Sequence, residues 1–515
     1  MQAVSAAWKQ NQENLLVSES FVEVKLIVSD PDAQAAASAV DNGSVWFSDT
    51  AEIVNGSSTV PPRYASLEQN LWALDGLSTI LPDKEPAGNN GYIGNLLSNV
   101  DSNFSTNPLL TVSFSQVFTS LLQGITITWG NAYDSEYAVD FTVTVWNGST
   151  TVATQAVTGN TQVISVVLFD IQNYNKITIS VNKWSHPYHR ARVQSILMGI
   201  IHTFDKDDLI KYQHNIEADM LSSQIPVNSI SFEIQNLDEI YNPANPSGLG
   251  RYLMERQMVQ VRYGYDLDGS REWIPGGIFF LSEWQTPVNG ITATFTARDY
   301  FELMGEHYSG VTSGSLFDIA TAALTQVGYP LSSPAGNQWV IDNTLKNIAA
   351  PTDINLSDNT IAEVLQLVAN AATCVLFQDR QGIIHIGPIE PVANDYSITQ
   401  DNGYGFPETT LLKQLKAVDI NNSAYVLDVA EVGEVQQVNN PLISNTQAPA
   451  VAQWIRNTLL NRQNLSGEWR IDPRLDCLDK ISIETPFETS NVIVTEIKME
   501  YNGAFKGEYQ GTVIS

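Results

Sequence analysis

The stretch that most constrains the fold is 353–388, DINLSDNTIAEVLQLVANAATCVLFQDRQGIIHIGP. Thr360 and Glu363 have the spacing of a capping box, in which each side chain satisfies a backbone N–H left free at a helix start. Ile361, Val364, Leu365, Val368 and Ala372 then recur at helical spacing and make one apolar face. After Thr373 the period drops to two. Val375 and Phe377 alternate with their neighbours, Asp379-Arg380-Gln381-Gly382 makes a turn, and Ile384 and Ile386 return. Asp opens such a turn by bonding its own backbone, and Gly closes it where a positive φ is needed. The stretch predicts one helix feeding directly into one hairpin.

The rest of the chain is long enough, at 515 residues, for two to four domains. Val, Ile, Thr and aromatic residues recur in short alternating runs between Gly and Pro, which predicts a mainly β protein with a few helices. Of the two cysteines, Cys374 opens an apolar strand and reads as core, and nothing suggests a disulfide framework. The N-terminus, MQAVSAAWKQNQENLL, lacks the apolar centre of a secretory signal, and no run reaches the ~18 apolar residues of a membrane span. The expectation is synthesis and assembly in a cytoplasm. The formal charge of −30 argues against gripping nucleic acid, which needs basic patches. Its commoner meaning is solubility; in a ring it would give an acidic lumen past which DNA slides.

Taken in order, residues 1–44 read as an N-terminal arm and a strand, SFVEVKLIVS, followed by a linker-like DPDAQAAASAVDNGS. Residues 45–199 read as one antiparallel β-sandwich. Its turns are Asn55-Gly56, Asn90-Gly91, Asn147-Gly148 and Gly159-Asn160, and its strands are 111–118, 124–130, 137–148, 161–169 and 174–184. Residues 200–312 carry further strands at 230–234, 258–263, 274–284 and 291–297, an extended excursion at Asn242-Pro243 and Asn245-Pro246, a helical turn at 249–253 and a helix at 300–304. Residues 313–390 add a helix at 315–328, a Pro- and Asn-containing connection at 330–353, and the helix–hairpin. Residues 391–515 carry strands at 411–427 and 428–438, a helix at 447–460, and closing strands around Asn502-Gly503.

Four stretches resemble known families. The helix beginning Asn359-Thr360-Ile361-Ala362-Glu363 with its Asp-Arg-Gln-Gly hairpin resembles the central unit of phage baseplate hub proteins. The runs NLDEIYNPANPSGLGRYLMERQMVQVRYGY, WIPGGIFFLSEW and ATFTARDYFELM are similar to the first barrel domain of hub-type proteins from prophages and phage-tail-like bacteriocins. The closing Asp472-Pro473…Leu475-Asp476…Asp479-Lys480-Ile481 with two strands resembles the second hub barrel. Leu74-Asp75-Gly76, Thr111–Phe114, Gly124–Trp129 and Ala191–Gly199 resemble the framework of the discoidin-like, galactose-binding jelly roll. The fold implied is a discoidin-like β-sandwich plus two hub-type β-barrels with helix–hairpin connections. The function implied is structural: a homotrimeric ring in a virion tail baseplate that joins the tail tube to a spike, contacts other baseplate proteins and leaves a channel for DNA. The alternative implied is a tail protein that binds host-surface glycans through the jelly roll.

Sugars stack their C–H faces on aromatic rings while polar groups take the hydroxyls, so the candidate ligand residues are Trp129, Asn131, Tyr133, Trp184, His186 and Tyr188, with Trp72 and Trp146 beside them. The competing expectation for each Trp is a place in the core. His186 and His189 are close, but Pro187 intervenes and no carboxylate or cysteine pattern accompanies them, so no metal site is expected. No cofactor motif, G-x-S-x-G, H-E-x-x-H, phosphate-binding loop or paired Cys-x-x-Cys occurs, and no enzymatic activity is expected.

Overall fold

The computed structural model describes residues 1–514 apart from 15, 42, 46–47, 55–67, 72–89, 131–135, 246–249, 251–252, 268, 288–290, 328–338, 353, 390–395 and 426–431. The expected turn at Asn55-Gly56, the motif Leu74-Asp75-Gly76 and most of the turn at 249–253 lie outside the described residues. The protein is mainly β, as its alternating runs predict. Among the described residues, no helix is long and apolar enough to cross a membrane. The chain divides into two compact units. One takes Ile27–His202; the other takes Met1–Leu26, Thr203–Tyr329 and Gln338–Ser515.

The Ile27–His202 unit is a sandwich. One sheet runs in the order Ala37–Asp41, Leu109–Phe118, Tyr174–Trp184, Ala138–Asn147, Thr150–Val157; the facing sheet in the order Ser195–Leu197, Leu122–Thr128, Ile164–Ile171. Phe141, Val143 and Val145 point inward on one strand and Ile177, Ile179 and Val181 on the next, where they meet Ile125, Ile127, Val167 and Ile196 of the other sheet. Period-two sequence thus becomes a two-layer core. The closing run at 191–199 is not one strand. Arg190–Val193 pairs with Tyr92–Leu97, Gln194 breaks the ladder and donates its N–H to the Thr128 carbonyl (2.8 Å), and Ser195–Leu197 pairs with Leu122–Thr128. The expected linker after Ser29 is also structured. Asp30 caps a short helix, Pro31–Ala36, and Ala37–Asp41 joins the sheet. Its small residues suggested a spacer; Asp at the N-cap and Pro at the first turn are the helix signals that outweigh that composition.

The second unit is built on one sheet, whose path ends in Met258–Leu267, Ser270–Gln285, Thr292–Arg298, Val227–Gln235, Leu209–Glu217, Thr489–Tyr501, Phe505–Val513, Gln463–Trp469 and Glu408–Leu411. The two expected barrels are therefore not separate: Leu209–Glu217 pairs antiparallel with Thr489–Tyr501, Tyr212 opposite Tyr501 and Ile216 opposite Ile497. No closed barrel occurs among the described residues. Alternation prescribes which face of a strand is buried, not which neighbour takes its edge. The expected strands at 411–427 and 428–438 leave this sheet. Leu415–Ile420, Ser423–Tyr425 and Glu434–Val438 make a small sheet of their own, whose Val418 and Ile420 share a core with Val451, Ala452 and Ile455 of the helix Ala448–Leu459. The 300–304 helix is a 3-10 turn capped by Asp299.

The helix–hairpin forms as the sequence predicts. Thr360 and Glu363 make both bonds of the capping box at the start of the helix Ile361–Ala371 (3.2 and 2.7 Å). Val375–Gln378 and Ile384–Gly387 make the hairpin; Asp379 Oδ1 accepts from the N–H groups of Gln381 and Ile383 (both 2.9 Å), and Gly382 has φ +84°. Trp339–Ile341, within the expected connection, adds a parallel third strand beside Ile384–Gly387. The helix Leu316–Val327 packs into the same core through Leu316, Ile319, Ala320, Ala323 and Leu324.

Candidate functional site

Of the six candidate ligand residues of the sandwich, Trp129, Trp184, His186 and Tyr188 are described. Trp129 is fully buried, donates from Nε1 to Ser165 Oγ (2.8 Å) and stands edge-on to Phe141 and Trp184. Trp184 is fully buried too, with Nε1 on Glu136 Oε2 (2.8 Å). Neither ring has a face open to a sugar, because each lies on an inward position of its strand or at that strand's end, between the sheets. Trp146 is only partly buried, bonds Thr178 Oγ1 (2.9 Å) and lies under the Lys176 ammonium. Asn131, Tyr133 and Trp72 lie outside the described residues. His186 and Tyr188 do share one loop. Tyr188 is 42% exposed with φ +61°, and the His186 ring stacks on His189 at 5.2 Å.

Beneath that loop lies a buried charge network that the sequence does not announce. Arg192 Nη1 reaches Glu68 Oε2 (2.9 Å) and Glu136 Oε2 (3.4 Å), and Nη2 reaches Glu68 Oε1. His189 Nδ1 meets Glu136 Oε1 at 2.6 Å, and Nε2 meets the Gln69 carbonyl. Both acceptors call for N–H donors, an arrangement that favours the imidazolium form of His189. Burial alone would lower its pKa; the hydrogen bond and charge of Glu136, helped by Gln69 and Glu68, outweigh burial and raise it. Two carboxylates thus face two cations, and segments distant in sequence (68–69, 136 and 189–192) are tied together. Glu136, His186 and His189 are close enough to suggest a metal site. Their geometry does not suit one. The two imidazole planes are 18° from parallel, so their in-plane lone pairs cannot converge on one ion. The 2.6 Å contact is a hydrogen bond; two ligands of one tetrahedral zinc sit about 3.3 Å apart. A usable signal was present: Arg192 falls at an inward-facing position of the closing run, where a charge demands a buried partner.

The second unit holds a comparable centre at the hairpin tip. Arg380 is buried and donates from Nε to Asp476 Oδ1 (2.5 Å), from Nη2 to the Leu475 carbonyl (2.5 Å), and from Nη1 to the carbonyls of Pro473 and, at 3.3 Å, Pro275. One guanidinium fork therefore fixes the closing segment and a sheet strand to the central hairpin. Behind it, burial and the Arg380 charge pull the His214 pKa down to about 3. The neutral ring donates from Nε2 to Asn228 Oδ1 and accepts at Nδ1 from Tyr263 (both 2.7 Å), and Tyr263 in turn accepts from Tyr212 (2.7 Å). A small cavity of about 70 Å³ adjoins these groups, lined also by Asp299, Gln378 and Asp476. The chemistry here is that of a clamp. Four of the five Arg380 N–H groups are bonded, the His is neutral, and burial raises the thiol of Cys477 well above its ordinary range and that of Cys374 to about 12.

No protein-family model matches this sequence, and no curated protein does. In structure, the chain is similar to phage and prophage tail proteins and, over a shorter span, to carbohydrate-binding modules. A tail protein from Neisseria meningitidis MC58 is 11% identical, with a TM-score of 0.41 over 61% of this chain and 93% of that one. The 43 kDa tail protein of prophage MuSo2 from Shewanella oneidensis is 13% identical, with a TM-score of 0.40 over 61% and 94%. A family 32 carbohydrate-binding module from C. perfringens NanJ is 11% identical, with a TM-score of 0.22 over 35% of this chain and 99% of the module.

Proposed function

We propose that this protein is a structural component of a phage, or phage-tail-like, baseplate. Three copies close a hub ring between tail tube and spike and leave a channel for DNA. The observation that carries this reading is the shared sheet. Strands from 203–298 and 408–513 join in one ladder, and Arg380 locks the helix–hairpin unit to it. Such a body is rigid and presents a broad polar sheet face and an open edge, which suits load-bearing contacts with neighbours rather than turnover of a substrate. The acidic balance supports a channel that does not retain DNA, three copies carrying −90. Closed rings of identical chains need large complementary interfaces. The test is light-scattering mass with class averages of the purified protein, alone and co-expressed with tube and spike proteins. A threefold ring near 170 kDa, three times 56.7 kDa, is expected. A monomer in both preparations sinks the reading.

Tyr188 and His186 favour a second reading for the sandwich, in which that loop contacts host-surface glycans. Glycan-array binding that Tyr188→Ala abolishes supports it; an array without binding leaves the sandwich as a docking domain.

A further inference from the structure

The polar face of the large sheet carries a groove that its own charges do not explain. Glu468 sits directly opposite Glu508 across one strand pair, and Glu496 directly opposite Glu217 across another. Like charges in register repel, so sheets ordinarily avoid them. Lys498 stands between the two pairs, beside Glu508, but goes to Glu496 (2.6 Å), and Lys506 goes to Glu500 (2.9 Å). Lys506 also feels Glu468 and Lys211 approaches Glu500 (3.9 Å), so the carboxylates of Glu217, Glu468, Glu496, Glu500 and Glu508 outnumber the ammoniums of Lys211, Lys498 and Lys506 and leave this part of the face acidic. Over this floor hang Tyr404, 62% exposed, and Phe406, 44% exposed. Their segment is held in place: the Tyr404 N–H donates to the Glu468 carbonyl (3.0 Å), and the Gly403 N–H to the Thr399 carbonyl (2.8 Å). The groove between strap and sheet has a volume of about 440 Å³ and adjoins Glu408–Leu411, the open edge of the sheet, whose four residues are all exposed.

We infer that this face docks an extended, arginine-bearing segment of a partner protein. Carboxylates paired against one another are relieved by a cation. Two exposed, pre-positioned rings favour a planar guanidinium, which stacks on aromatic faces, over an ammonium. The inference rests on the reading of the chain as an assembly component, but the groove is tested on the purified chain, whether or not rings form.

The probe is a fluorescein-labelled, C-amidated Gly-Ser-Arg-Gly-Arg-Gly peptide, with lysine and citrulline versions, followed by anisotropy at low and high salt. The arginine peptide binds about tenfold more tightly than the citrulline one, and the difference shrinks with salt. E468Q/E508Q loses that difference while its Tm rises by about 1–2 °C, since a repulsion is removed. E239Q/E255Q, with the same charge change at two exposed glutamates outside the groove, keeps it. Y404A, which changes only an exposed ring, loses the preference for arginine over lysine. Equal binding of arginine and citrulline peptides, or equal loss in both double variants, overturns the inference. If E468Q/E508Q does not fold, the Y404A result decides alone. Peptide selectivity with a monomer in both the lone and the co-expressed preparations would overturn the hub reading and leave the groove standing.

Discussion

Replacing Arg380 by Ala tests the claim that one side chain couples the central hairpin to the closing segment. Four hydrogen-bonded acceptors lose their donor: the Asp476 carboxylate and the carbonyls of Pro473, Leu475 and Pro275. Removing one member of a buried ion pair costs about 3–5 kcal/mol; here Asp476 is 28% exposed and keeps its bond from Gln2, so much of the cost falls on the three carbonyls left behind. With about 4 kcal/mol lost and a urea slope of about 3 kcal/mol per molar, the unfolding midpoint of this unit falls by about 1.3 M. Hydrogen exchange read by mass spectrometry locates the loss: peptides covering 472–479 lose protection first, while those from Ala138–Asn147 in the other unit are unchanged. Arg380→Lys keeps the charge but not the fork and recovers only part of the stability. R380A/D476A costs less than the sum of the two single changes, because no carboxylate is then stranded. A midpoint shift below about 0.3 M in R380A, or additivity in the double variant, would refute the clamp.

Two further predictions concern buried ionisable groups. His189 has a folded pKa raised above its ordinary value, so its contribution is complete below pH 6.5 and is lost as pH rises through the folded value. Calorimetry should show the sandwich losing stability across that window, and H189Q should flatten the profile; an unchanged slope would rule out the imidazolium. Asp299 is pushed well above the usual carboxylate range by burial, which exceeds the opposing effect of the Phe301 N–H bond, and its Oδ2 has no hydrogen-bond partner. Here stability is present below the ordinary Asp value and declines as pH rises toward the folded one. D299N keeps the acceptor for Phe301, so it gains on the wild type as pH is raised from 4 to 8, read as Tm; a constant difference counts against the protonated acid.

The helix–hairpin at 360–387 and the strands of the sandwich were legible in the chain because their causes are local. A capping box, an Asp-x-x-Gly turn and a period of two or 3.6 act within a dozen residues. Tyr174–Trp184 and Ser20–Ser29 therefore carry the bounds that their alternation predicts. The same local rules misled where composition was read instead of position, as at 30–36, where a helix cap looked like a spacer.

What tertiary structure decided is which edges pair and which charges meet. Leu209–Glu217 finds Thr489–Tyr501 across more than two hundred residues, so strands read as two barrels become one sheet. Nothing in either strand specifies that choice, since backbone edges are chemically alike and only the buried faces discriminate. The aromatic residues show the same division. Trp129 and Trp184 were visible as large amphipathic side chains, but whether a ring faces a sugar or the opposite sheet depends on what covers it. In the chain Arg380 reads as a turn residue, Arg192 as part of the closing run and His189 as a neighbour of His186, and Glu136 carries no signal. Their roles arise only when packing withdraws them from water, and a charge so buried must find its partner wherever the fold has placed one.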